Sequence, residues 1–92
     1  MQSLMDYRDI YKASLQKWGD EAQYDQAVEE CAELIAALKH YKRGRVDNEA
    51  VADELADVLL MAGQLIFMLG EERVAAALER KLQRLQAHLA AP

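Results

Sequence analysis

Cysteine and proline are almost missing from this chain. Cys31 is the single cysteine among 92 residues, so no intrachain disulfide can form. That suits a reducing, cytoplasmic setting. The one proline is Pro92, and three of the four glycines (Gly19, Gly44, Gly70) fall between periodic segments. Helices can therefore run long without a breaker. No apolar run is long enough for a membrane span: the most apolar window, Leu55 to Leu69, has 15 residues and includes Asp57 and Gln64. Between Met1 and Tyr11, Asp6, Arg8 and Asp9 occupy the place of a secretory apolar core, so no signal peptide is expected. Positive charge is the minority: 11 Lys and Arg against 16 Asp and Glu give a net charge of -5. Polymeric nucleic acid is disfavoured as a partner. A small anionic ligand held through a metal is not.

What is present reads as a single all-α domain spanning residues 1–92, with four helices joined by short loops in a bundle-like protomer. The first runs from about Leu4 to Lys17, capped by Ser3 and ended by Trp18-Gly19. The second runs from about Glu21 to Tyr41, capped by Asp20, with Tyr24, Ala27, Val28, Cys31, Leu34, Ile35 and Leu38 as its apolar stripe. The third runs from about Asn48 to Leu69, capped by Asp47 or Asn48, and is apolar on nearly every side beyond Leu55. The fourth runs from about Glu71 to Leu89, with Val74, Leu78, Leu82, Leu85 and Leu89 as its core face. A chain this short buries only about 60–65% of its unfolded surface. Self-association into a homodimer or homotetramer is therefore expected, with the third helix, and Gly63 in it, at a subunit interface.

Two matched acidic boxes stand out. Glu29-Glu30-Cys31-Ala32-Glu33 and Asp53-Glu54-Leu55-Ala56-Asp57 overlay with an offset of 24 residues. At i and i+3, Glu30 pairs with Glu33 and Glu54 with Asp57, each pair on one helix face. An antiparallel hairpin sets the pairs opposite each other. An ordinary solvated acidic face would carry Lys or Arg at i+4, yet those places hold Glu33, Leu34, Ala37, Asp57, Val58 and Met61. With Asp57 expected in the buried part of its helix, the charges need a cation between them. An all-oxygen set favours Mg²⁺, Mn²⁺ or Ca²⁺. Zinc is disfavoured because Cys31 lies on the apolar stripe and His40 and His88 are remote. A di-iron bundle needs Glu-x-x-His on two helices, which is lacking. Carboxylate-bound Mg²⁺ commonly also holds substrate phosphates, which points to phosphoryl chemistry.

At these residues the chain resembles the MazG-like, all-α nucleotide pyrophosphohydrolases. The pattern Glu29-Glu30-x-x-Glu33, twenty residues, then Glu54-x-x-Asp57 is similar to their EExxE…ExxD signature. Lys17-Trp18-Gly19 with Gln23, Tyr41-Lys42-Arg43-Gly44, and Lys81 with Arg84 extend the likeness from Lys17 to Leu89. The resemblance implies a Mg²⁺-dependent hydrolase, with Mn²⁺ as a possible substitute. It would cleave a nucleoside or deoxynucleoside triphosphate between the α and β phosphates and assemble as a homo-oligomer. It implies Glu30, Glu33, Glu54 and Asp57 as metal ligands. Glu29 and Asp53 would support them, or help hold a further metal or the attacking water.

Substrate contacts are sought among the remaining polar and aromatic residues. Lys81 and Arg84 share a face and suit phosphate. Lys42 and Arg43 suit it too, though compensation of a helix C-terminus explains them equally well. Trp18 is either a stacking surface for a base or part of the first helix's apolar stripe. Gln23 and Gln64 offer amides to a base or sugar; relatives often carry asparagine at the latter place. Three readings stay open on the residues alone: a nucleotide pyrophosphohydrolase, a non-enzymatic helical dimerisation module stabilised by a metal, or a regulatory partner protein whose acidic face holds a basic peptide.

Overall fold

A computed structural model describes residues 3–92; Met1 and Gln2, the first residues of the stretch tested for a signal, lie outside it. A 3₁₀ turn, Leu4–Tyr7, leads into three helices: α1 (Arg8–Lys42), α2 (Asn48–Leu69) and α3 (Glu71–Ala90). No strand occurs among the described residues. The expectation of an all-α protein holds. The first two expected helices meet inside α1: they break at Gly19, where they were expected to, but at a kink and without an intervening loop.

The reason is Gly19. It takes φ 81° and ψ 169°, a conformation open to glycine, so the chain bends at one residue without a loop. Asp20 Oδ1 then accepts a 2.8 Å hydrogen bond from the Glu21 amide beyond the bend. The Gln23 side-chain amide donates across it to the Ser14 carbonyl at 3.3 Å. At the far end Gly44, with φ 72°, lets Arg45 N–H reach the His40 carbonyl at 2.9 Å. Asp47 caps α2 through Oδ1, which accepts from Ala50 N–H at 3.0 Å. Five residues between α1 and α2 force an antiparallel hairpin, and this pair makes most of the tertiary structure.

The small core sits where the segment before Gly19 crosses α2. Tyr11 is 2% exposed, its hydroxyl donating to the Leu4 carbonyl at 2.7 Å and its ring 6.4 Å from that of Phe67. Gly63 is buried beneath it: a Cβ there would lie 2.5 Å from Tyr11 Cζ. Gly63 therefore admits a ring of its own chain, whereas it was expected at a subunit interface. Gln64 is buried beside it and donates to the Tyr11 carbonyl at 3.0 Å.

Much of the apolar surface stays open. α3 touches α2 but has no backbone approach to α1; the Arg8–Glu71 ion pair alone ties their first turns. As a result the α3 stripe is uncovered, with Leu78, Leu82, Leu85 and Leu89 all exposed. So are Val28, Cys31 and Ile35 on α1, which were expected in a core. On α2, expected to be too apolar for one chain to cover, Leu55, Leu60 and Leu69 are exposed. Periodicity marked these faces correctly as apolar; no element of the same chain covers them.

Candidate metal centre

The hairpin brings the two acidic boxes together. One carboxylate oxygen from each of Glu30, Glu33, Glu54 and Asp57 can be chosen so that all lie within 4.8 Å of one another. Glu30 and Glu33 are one helical turn apart on α1, and Glu54 and Asp57 repeat that spacing on α2. Glu30 and Glu54 form the half-buried floor; Glu33 and Asp57 form an exposed rim. Asp57 was expected within the buried part of its helix and is instead open to solvent. The clustering, not the burial, is what gathers the charge.

The floor has unmet demands. Glu30 Oε2 and Glu54 Oε2 are buried and have no hydrogen-bond partner. Orphaned buried carboxylate oxygens are costly. The Glu30 carboxyl feels opposing influences. The hydrogen bond from the Gln26 amide lowers its pKa, while burial and the charges of Glu33 and Asp57 raise it; the net effect is upward. No Lys or Arg forms an ion pair with the four acids among the described residues. A divalent cation fits this donor set: with bonds of about 2.1–2.5 Å it holds its oxygens at most about 4–5 Å apart. It would also satisfy both orphaned atoms.

Gln26 was not anticipated from the sequence. Its Nε2 donates to Glu30 Oε1 at 2.6 Å, leaving Oε2 as the buried atom without a partner. The available signal was its i, i+4 spacing from Glu30. Gln26 also lines a groove of about 370 Å³ with Trp18, Ala22 and Gln23, so this groove adjoins the acids through a shared residue. Trp18 is 61% exposed there, with Lys17 Nζ 5.0 Å from its ring centroid. It does not complete an apolar core.

The other expected contacts lie apart. Glu29 and Asp53, the first residues of the two boxes, are exposed and outside the four-acid cluster. Lys42 and Arg43 line a shallow depression with Lys39 at the end of α1. Lys81 and Arg84 stand on α3, whose backbone does not approach that of α1. Gln23 and Gln64 are buried, each with its amide given to a backbone carbonyl. Among the described residues no helix is long and apolar enough to cross a membrane.

A family profile described as the MazG nucleotide pyrophosphohydrolase domain matches residues 19–89. That span includes both acidic boxes, the Gly19 bend and nearly all of α3. No curated protein and no solved structure matches the chain.

Proposed function

The chain belongs to the MazG nucleotide pyrophosphohydrolase family, and from that premise we propose that it is a Mg²⁺-dependent enzyme acting on a nucleoside or deoxynucleoside triphosphate. Cleavage falls between the α and β phosphates: water adds to the α phosphorus, the bridging bond to the β phosphate breaks, and a monophosphate and pyrophosphate leave. The observation that carries this reading is the four-acid cluster with two buried, unpartnered oxygens and no cation of its own.

In this reading Glu30, Glu33, Glu54 and Asp57 hold the metal, with Mn²⁺ able to replace Mg²⁺. When bound, the ion supplies Lewis-acid polarisation of a phosphate oxygen and makes a nearby water more acidic. Gln26 fixes the Glu30 carboxylate through its 2.6 Å hydrogen bond. Glu29 and Asp53, on the same helical turns, orient the attacking water and accept its proton. Trp18 offers an exposed indole face to a base at the groove beside Gln26, with Gln23 behind it. Gln64, buried and bonded to the Tyr11 carbonyl, ties the helical segment that carries Trp18 to α2. Lys42, Arg43, Lys81 and Arg84 meet the phosphates, α3 doing so once the protein has assembled as a homodimer or homotetramer. The whole chain acts as one cytoplasmic domain without a membrane or polymeric nucleic-acid partner.

The test is pyrophosphate release from a panel of the common NTPs and dNTPs with added Mg²⁺. Release from at least one, abolished by chelator, supports the proposal; none across the panel overturns it. The competing reading is a non-enzymatic dimerisation module that uses the same ion for stability. Its melting temperature would respond to metal and be indifferent to nucleotide.

A further inference from the structure

We infer that the groove beside the acidic cluster selects nucleobases that carry an exocyclic amino group, through the side-chain oxygens of Gln23 and Gln26. This rests on the nucleotide reading above and adds to it which bases are told apart.

The groove of about 370 Å³ is bounded by Trp18, Ala22, Gln23 and Gln26. That is at the small end of ligand sites, roughly 300–1,000 Å³, and suits a single base. Gln23 and Gln26 stand at i and i+3 beyond the Gly19 bend, so they share a helix face. Gln23, 6% exposed, is the inner wall; Gln26, open to solvent, is the outer one. Trp18 brings the flat apolar surface. Lys17 Nζ lies over one face of its ring at 5.0 Å, and the other face is left for stacking. Gln26 precedes Glu30 by four residues, about 6 Å of helix. That interval is comparable with the sugar that separates a base from its α phosphate.

Partners set the polarity of both amides. Gln23 Nε2 donates to the Ser14 carbonyl at 3.3 Å, and Gln26 Nε2 donates to Glu30 Oε1 at 2.6 Å. A carbonyl and an ionised carboxylate can only accept. Neither amide can turn over without setting oxygen against oxygen. The nitrogen end of each therefore faces the protein, and the oxygen end is left to the groove. Neither oxygen accepts a hydrogen bond among the described residues. Two neighbouring acceptors match an amino group, which has two N–H to give. Cytosine and adenine carry one on the edge away from the sugar; uracil, thymine and hypoxanthine carry a carbonyl oxygen there. That carbonyl would meet two amide oxygens with no proton between them. The oxygen of the buried Gln23 would then lose water without gaining a donor.

Two substrate pairs that differ at this edge test the inference on the full-length protein: CTP against UTP, and ATP against ITP. With Mg²⁺, kcat/KM for pyrophosphate release is expected to favour the amino member of each pair by roughly 10–100-fold, the effect of one or two lost hydrogen bonds. Gln26→Leu and Gln23→Leu should each bring both ratios toward one. Looser metal binding would lower both members of a pair alike, so the ratio isolates base recognition. Helical circular dichroism shows whether each variant folds, and Gln26→Leu, at an exposed position, leaves the Ser14 bond across the bend in place. Binding is read separately from turnover. Trp18 is the only tryptophan, so its fluorescence follows stacking. CMP and AMP should quench it at roughly tenfold lower concentration than UMP and IMP. Equal ratios with active enzyme overturn the inference and leave the pyrophosphohydrolase reading standing. Hydrolysis of none of the four, with the quenching order as expected, overturns that reading and leaves the base site. Quenching that is absent, or equal within both pairs, overturns the inference whatever the turnover.

Discussion

Replacing Gly63 by alanine puts a methyl group where the structure has the Tyr11 ring. The added Cβ would stand 2.5 Å from Cζ and 3.0 Å from Cε2, well inside contact distance. The ring has nowhere easy to go. It is 2% exposed, packs against Phe67, and its hydroxyl is held by the Leu4 carbonyl. Overpacking of this kind costs about 1–3 kcal/mol. Loss of the hydroxyl's hydrogen bond adds about 0.5–1.5 kcal/mol. Against this, alanine in a helix interior gains about 1 kcal/mol over glycine. The expected net loss is therefore roughly 2 kcal/mol, a fall in melting temperature of roughly 8–16 °C for a domain of this size. Thermal circular dichroism at fixed protein concentration measures it. The second arm of the cycle is Tyr11→Ala, which clears the space: in that background Gly63→Ala should be neutral or stabilising. A Gly63→Ala protein that melts at or above the parent temperature would refute the packing argument, since propensity alone would then have decided the outcome.

The metal centre gives further expectations. The Glu30 carboxyl sits above its ordinary pKa, so its protonated form stabilises the metal-free fold; that contribution is lost as pH rises through the raised value. The melting temperature of chelated protein should fall over that range, Glu30→Gln should remove the dependence, and saturating Mg²⁺ or Mn²⁺ should raise the melt by roughly 10–20 °C at about 100 times Kd. Glu33→Gln and Asp57→Asn should lower turnover by at least roughly 10–100-fold with unchanged helical signal; unfolding of both would indicate a structural role. Gln26→Leu should weaken metal binding by titration calorimetry, since Glu30 loses the bond that aims it. Glu71 is held below the ordinary carboxyl range by its hydrogen bonds from Arg8, which contribute stability above that range. The difference in melting temperature between parent and Glu71→Gln should vanish as pH falls through the lowered pKa.

Local signals in the sequence translated directly into structure. Asp47, Gly44 and Gly70 marked the ends of α1, α2 and α3, because caps and positive φ are written in single residues. The i, i+3 spacing of Glu30 with Glu33 and of Glu54 with Asp57, together with a short turn, was enough to gather four carboxylates. Gly19 read as a loop because its permissive backbone is common to loops and bends; that one residue suffices depends on how Ser14 and Gln23 meet across it. The apolar stripes through Val28, Cys31 and Ile35 and through Leu78 to Leu89 were legible, but a stripe does not name its cover. Asp57 looked buried because its neighbours are apolar, whereas its own direction is toward the rim. Gln64 looked available to a ligand, and its partner, Tyr11, is 53 positions away in the chain.

One further consequence follows from the joint between α2 and α3. Gly70 alone separates them, at φ 114°, with its amide donating to the Ile66 carbonyl at 2.9 Å. There is no slack to absorb a change in length. Since a helix advances about 100° per residue, one alanine inserted at this point would swing the leucine row about a quarter-turn in azimuth. Point substitutions along α3 alter how well it fits; a shift in reading length at position 70 alters where it faces, which makes this the least forgiving place in the chain for an insertion.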